Sequence, residues 1–372
     1  MKEDIRWAEE TLKSIVQKMR IVADRSKDKI PYTTENGIHD DRSQNDGIGW
    51  WTNGFWGGLM WQLYAATGEE SFRRIAEANE EKLDRVLINW NMLDHDNGFK
   101  WLPTAVAHYR VEKNENSKNR GMLAANNLAG RFNAEGGFIR AWNGDAKVRG
   151  WAIIDCMMNL PLLYWASEIT DDPRFSAIAV RHAETSRKYF VREDGSVNHI
   201  VEFDPYTGSM IKTYGGQGMR EGSSWTRGQA WGLYGFTLSY IHTKNGVFLE
   251  TAKKIADYFL SQIPENGLIP VDFLQPENVT WQDSTAGAIA ACGLLTLAEQ
   301  VSGEKETYRS GAMKLLKALA DNNLDLDHDH DQLIEKCSAA YNDEKHEFSI
   351  IYGDYFFTEA LNKITGKELF VW

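Results

Sequence analysis

Only three cysteines, Cys156, Cys292 and Cys337, occur in the 372 residues of this chain. Odd in number and far apart, they fit neither a disulfide framework nor paired zinc thiolates, and read as small buried hydrophobes of a reducing compartment. Proline is scarce, with eight residues, and no low-complexity linker interrupts the chain. No apolar run reaches the ~18 residues of a membrane span, so no membrane partner is expected. Positive charge is also short: 41 Lys and Arg face 53 Asp and Glu, for a formal charge of −12. That balance argues against nucleic acid as a partner, because non-specific affinity comes from cations meeting phosphates. The opening "MKEDIRWAEETLKSIVQKMRIVA" has no apolar signal core and no cleavage site. Its Ile5, Leu12, Ile15, Val16 and Met19 fall at helical spacing, which predicts an amphipathic helix and a cytoplasmic protein.

What the chain does have is tryptophan, fourteen in all, several of them beside Gly or Asn rather than inside Leu-rich runs. An indole offers a flat face and one N–H donor, which suits a sugar ring as well as a core. It also has a repeat: a polar or Gly-containing entry, an apolar helix, a turn, then a more polar helix. Copies begin at Trp51 ("WTNGFWGGLMWQLYAATGEES"), His95 ("HDNGFKWLPTAVAHYRVEKN"), Gly150 ("GWAIIDCMMNLPLLYWAS"), Ser223 ("SSWTRGQAWGLYGF") and Gln282 ("QDSTAGAIAACGLLTLAEQ"). Ile351 ("IYGDYFFTEALNKITGKELF") opens a sixth apolar helix. The first helices are apolar round most of their circumference, the second ones on one stripe. With the N-terminal helix as partner of the last inner one, the count predicts an all-α (α/α)6 barrel, a toroid of six helical hairpins, as a single domain over 1–372. A curved open solenoid has the same periodicity. In a closed ring the entries gather at one end and bring Asn53, Asp96, Asp155, Arg227 and Asp283 to one cavity.

Asp155 is the one acid in a segment of large aliphatics. As a helix cap it accepts an unpaired backbone N–H; as a catalytic group it is desolvated by Ile153, Ile154, Cys156, Met157 and Met158, which raises a carboxyl pKa. Pro161, inside the same apolar stretch, predicts a kink or a late helix start. Asp94, His95 and Asp96 crowd two acids and an imidazole before a Gly turn. No second ligand cluster recurs at metal spacing, so no metal is expected. A carboxylate pair with Asp155 suits glycoside chemistry, which needs a proton donor and an ionised partner. Arg227 and Trp231 lie four apart on one helix face with Trp225 just before. That is cation–π packing between helices, or a fork for a carboxylate between aromatic walls. His199 and Gln217 lie in long loops, where a surface role is the default.

The segments "WTNGFWGG", "LDHDNGF", "IIDCMMNLPLLYWA" and "SSWTRGQAWGLYGF", in this order and spacing, resemble the bacterial unsaturated glucuronyl hydrolases, glycoside hydrolase family 88. The resemblance covers nearly the whole chain and carries the same (α/α)6 fold. It implies removal of an unsaturated uronic acid from the non-reducing end of lyase-released glycosaminoglycan oligosaccharides, without metal or organic cofactor. The expected partner is therefore an oligosaccharide containing unsaturated uronic acid; the oligomeric state is left open. The resemblance also implies Asp155 as general acid/base and Asp96 as the second essential carboxylate. Phe55, Trp142, His199, Gln217, Trp225, Arg227 and Trp231 are implied to line the sugar site. Family members often carry two His before the second Asp, where this chain has only His95. Segment 336–349 matches neither sulfate-tolerance type. The alternatives are an unsaturated rhamnogalacturonyl hydrolase acting on pectin fragments and a non-catalytic sugar-binding toroid.

Overall fold

A computed structural model describes residues 2–372. Six inner helices form its centre: Phe55–Thr67, the stretch from Asn97 to Glu112, Pro161–Thr170, Thr226–Thr243, Ser284–Ala298 and Ile351–Thr365. Six outer helices surround them: Glu70–Lys82, Glu115–Gly130, Arg174–Tyr189, Gly246–Gln262, Lys305–Asn322 and, against the last inner helix, Lys2–Ser26. Each inner helix packs on its two neighbours, and Ile351–Thr365 packs on Phe55–Thr67, so the ring closes as an (α/α)6 barrel. Composition dictates this layering. Every one of the fifteen residues of Ser284–Ala298 is buried, whereas Lys2–Ser26 buries only a stripe that includes Leu12, Ile15, Met19 and Val22.

The two ends of the barrel differ. Five of the six inner helices stop on a left-handed residue, Gly68, Lys113, Asp171, Lys244 or Gly366. This closes the last turn and sends four of them at once into their outer partners. At the opposite end the chain enters each inner helix through a loop, and three small antiparallel sheets form there. The largest pairs Trp151–Ile153 with Ile200–Phe203 and the latter with Met210–Tyr214.

Two prolines shape the entries. Pro161 takes the first position of its helix, so that helix starts late and Asp155 lies ahead of it, in the 3-10 turn Ile154–Met158. Pro103 lies inside the second inner helix and lacks an N–H. The backbone absorbs it as a π turn over Leu102–Val106, with Thr104 Oγ1 donating to the Lys100 carbonyl at 2.6 Å.

Gly54 lets the first turn of the second inner helix, Asn97–Trp101, approach closely. A Cβ there would stand 2.2 Å from the Phe99 carbonyl and 2.6 Å from that of Lys100. Gly54→Ala is therefore expected to cost about 1–3 kcal/mol through overpacking against backbone and to lower the Tm measured by calorimetry. Gly130→Ala, at a position with nothing within 4 Å, is expected to be neutral or slightly stabilising.

Candidate active site

A cavity of about 470 Å³ opens at the loop end of the barrel, where the inner helices begin. Among the residues implied by sequence, Asp96, Asp155, Trp142, Gln217, Trp225, Arg227 and Trp231 wall it. The two acids meet through backbone ties. The His95 N–H donates to the Ala141 carbonyl at 3.1 Å, and the Ala141 N–H to the Trp151 carbonyl at 2.8 Å, four residues before Asp155. Asn159 fastens the pair from below: its Oδ1 accepts from the Phe99 N–H at 2.8 Å, and its Nδ2 donates to the Asp155 carbonyl at 3.2 Å.

Asp96 sits at a helix N-cap position, yet its carboxylate accepts no capping hydrogen bond; Asp283 does cap its helix, accepting from the Thr285 N–H. Asp155 Oδ1 and Asp96 Oδ1 are buried without a partner. His95 Nε2 lies 3.5 Å from Asp96 Oδ2 and 3.7 Å from Asp155 Oδ1. Burial drives the His95 imidazole well below its ordinary pKa, aided by Arg131, so it stays neutral. Burial pushes Asp155 up to about 7, with Arg227 opposing and Asp94 adding to the rise. It also pushes Asp96 up, with Asp94 and Asp155 reinforcing while Lys100 and Arg131 pull it down. Two desolvated carboxyl groups this close cannot both ionise freely, so the pair retains a proton near neutral pH.

Arg227 is fully buried. Its Nη1 donates to Asp283 Oδ2 at 2.7 Å, Thr285 Oγ1 at 3.1 Å and the Ser338 carbonyl at 2.8 Å; its Nη2 donates to the Ala339 carbonyl. Its guanidinium also lies over the Trp225 ring, 4.7 Å from the centroid. The readings of interhelical packing and ligand fork thus coincide in one side chain, whose Nε–H and second Nη2 hydrogen are the donors not engaged by protein. Gln217 donates to the same Ala339 carbonyl at 2.8 Å, and its own carbonyl accepts from the Tyr341 N–H, so segment 336–349 folds over the cavity.

His199 lies outside the cavity lining and packs on Trp225, with ring centres 4.3 Å apart. Its Nδ1 lies 2.9 Å from the Gln217 N–H, which donates to it, and 3.3 Å from the Gly215 carbonyl; the shorter bond favours the tautomer with the proton on Nε2, an atom with no protein partner. Burial lowers its pKa to about 3, so the ring is neutral. Phe55 is one layer down, buried among Trp51, Phe99, Tyr352, Tyr355 and Phe356, and does not line the cavity. The reason is its place as first residue of a fully inner helix, one turn below the entry. Asn53 is likewise absent from the walls and instead ties the Gly47 and Ile48 carbonyls, while Asp283 lies beneath Arg227.

Tyr32, Trp50, Trp51, Asp94, Asp343 and Tyr352 also stand on the wall, and none of them was among the residues expected to line the sugar site. Trp50 was legible as a tryptophan beside Gly and Trp51 as the start of the first repeat; Tyr32 and Asp343, on irregular loops, had no periodic signal. One donor atom from each of His95, Asp96 and Asp155 lies within 4.8 Å of the others, close enough to face a single cation. Carboxyl groups raised by burial also favour a proton in that place. A second such group, Glu77, His108 and Glu112, lies on the outer wall, where Arg73 pairs with both acids.

The family model described as Glycosyl Hydrolase Family 88 matches residues 22–370. The unsaturated glucuronyl hydrolase of Bacillus sp. (strain GL1) is 40% identical over 326 residues, covering 84% of this chain and 86% of that one. A UGL variant solved with dGlcA-Glc-Rha-Glc superposes with a TM-score of 0.89 at 37% identity, covering 94% of this chain and 95% of the other. An Asp-to-Asn mutant of the unsaturated glucuronyl hydrolase from Streptococcus agalactiae, complexed with dGlcA-GalNAc6S, gives 0.82 at 28% identity, with 98% and 93% covered. A match that runs through every hairpin of the ring, with glycoside hydrolases on the other side of it, makes the assignment plain: the chain belongs to glycosyl hydrolase family 88.

Proposed function

We propose that the protein removes 4,5-unsaturated glucuronic acid from the non-reducing end of lyase-generated glycosaminoglycan oligosaccharides, by acid-catalysed hydration of the C4=C5 bond. The observation that carries this reading is the placement of Asp155 and Asp96, both facing His95 Nε2 within 4 Å, on the wall of a tryptophan-lined cavity; desolvation raises both carboxyl groups and so favours a retained proton. The family and its glucuronyl hydrolases supply the substrate class.

The substrate's double bond is an enol ether, since the ring oxygen is attached to C5. Asp155 delivers its proton to C4, and the positive charge that develops at C5 is shared with the ring oxygen. A water adds at C5 and returns a proton to the Asp155 carboxylate, which regenerates the acid. The hemiketal opens, and the hemiacetal left at C1 expels the rest of the oligosaccharide as an alcohol. Asp96 is the second carboxyl group of the pair; burial, Asp94 and Asp155 raise it, and Lys100 and Arg131 are the cations that oppose the rise. Arg227, through its free donors, and Gln217 bind the sugar's carboxylate and hydroxyls, while Trp142, Trp225 and Trp231 provide stacking faces; His199, outside the lining, backs Trp225 and the Gln217 backbone. Phe55 acts from below by supporting Trp51 and Tyr352. The whole chain works as one catalytic domain in the cytoplasm, a reading supported by three free, buried thiols.

Asp155→Asn is expected to lower turnover by at least about a hundredfold, followed as loss of the double bond's ultraviolet absorbance on an unsaturated chondroitin or hyaluronan disaccharide. Binding measured by calorimetry should survive; undiminished turnover would sink the assignment of Asp155. Comparing the same assay with an unsaturated rhamnogalacturonan disaccharide separates the pectin alternative, and tight binding without turnover by the wild type would favour the non-catalytic one.

The raised pKa of Asp155 gives two pH dependences. Activity should fall as pH rises through about 7, where the donor proton is lost. Because the folded value lies above the ordinary 3.8, this group's contribution to stability is full below about 4 and is lost as pH rises through about 7. Asp155→Asn removes that loss, so the Tm of the variant relative to wild type should climb between pH 4 and pH 8; a constant difference would contradict it.

A further inference from the structure

Of fourteen tryptophans, three are more than a third exposed among the described residues: Trp50 at 41%, Trp90 at 64% and Trp142 at 39%. The turn that carries Trp90 borders the segments that carry the other two. Trp50 and Trp142 wall the cavity itself. Trp90 belongs to the turn Trp90–Met92 and is joined to both flanks. On one side Asn143 Nδ2, next to Trp142, donates to the Trp90 carbonyl at 3.1 Å and the Leu93 carbonyl at 2.8 Å. On the other, the Met92 side chain lies against Gly49, the neighbour of Trp50, so closely that a Cβ on Gly49 would meet it at 2.9 Å.

The turn is also held from beneath. Lys100 Nζ donates to the Met92 carbonyl at 2.9 Å, and Arg131 Nη1 to the Leu93 carbonyl and to Asn143 Oδ1. An exposed indole on so fixed a backbone is a preformed apolar face, and Ile88, almost fully exposed two residues earlier, extends it. The turn adjoins two cavity-lining residues, Gly49 through Met92 and Trp142 through its neighbour Asn143.

We propose that Trp90 is an outer sugar platform, stacking against the third and later sugars on the reducing-end side of the scissile bond. The inference rests on the reaction assigned above and adds where a longer chain leaves the cavity. A pyranose presents an apolar face of C–H groups, and stacking on an indole needs no charge. That matters at a mouth where Asp94 and Asp343 stand on the wall: a polyanionic chain gains affinity here from a contact that acidic neighbours do not oppose.

The test compares kcat/KM for unsaturated hyaluronan disaccharide and tetrasaccharide in wild type, Trp90→Ala and Trp90→Phe. Trp90→Ala is expected to reduce the tetrasaccharide-to-disaccharide ratio roughly three- to tenfold, through KM, as loss of one aromatic stacking contact implies. Trp90→Phe should restore part of it. An unchanged ratio overturns the platform. So does an unchanged ratio accompanied by a shift from dimer to monomer in size-exclusion chromatography, which would assign the face to a second copy of this chain. If wild type turns over neither sugar, the assigned reaction fails. The platform is then judged by the same ratio of binding constants from calorimetry.

Discussion

A buried guanidinium on the cavity wall holds the active end of this barrel together. Arg227 leaves the start of one inner helix, pairs with Asp283 at the start of the next, and donates to two carbonyls of the segment that folds over the cavity. Removing one partner of such a pair leaves an uncompensated buried charge, a loss of about 3–5 kcal/mol. Asp283 in turn caps its helix through the Thr285 N–H, so one ion pair fixes two helix starts, one loop and, through the Trp225 face, one wall of the site. The roof over the cavity is a loop closed on itself by one β-bridge, Cys337 with Phe348, and fastened to the barrel by long-range hydrogen bonds to a charge.

The acidic pair depends on a different device. Nothing in either aspartate's immediate sequence brings them together. Antiparallel pairing of Trp151–Ile153 with Ile200–Phe203, extended by backbone bonds through Ala141 to His95, sets two entry loops edge to edge. The late helix start imposed by Pro161 leaves Asp155 on a short turn rather than on the helix, where its carboxyl group faces the cavity instead of a helix terminus. Desolvation by the ring's own core then raises its pKa. The packing that stabilises the fold and the tuning of the acid have the same apolar side chains as their source.

Much of this was legible beforehand, and the division is physical. Ring architecture follows from helices apolar on all sides, such as Ser284–Ala298, alternating with striped ones, a pattern written in composition alone. Convergence of Asp96, Asp155 and Arg227 follows from parallel helix starts. What periodicity could not carry is anything decided by loops or by depth. Phe55 reads as an entry residue but lies one turn too deep. Asp283 reads as a wall residue but serves Arg227. Tyr32 and Asp343 reach the cavity from irregular segments whose course depends on contacts hundreds of residues away, such as Thr33 Oγ1 with the Ser349 carbonyl. The exposed indoles were visible as tryptophans in polar company, but the bond that ties the Trp90 turn to the segment of Trp142 was not.

The left-handed residues that close five inner helices make the far end of the barrel nearly invariant in length, with no slack to take up or give out. Change is thereby confined to the other end, where loops of unequal length can be lengthened, shortened or recharged without disturbing a helical hydrogen bond. A barrel hinged so stiffly at its base behaves as a fixed socket with interchangeable rims. Its diversification in substrate choice can proceed by loop editing alone, while the proton-bearing pair keeps its position and its environment.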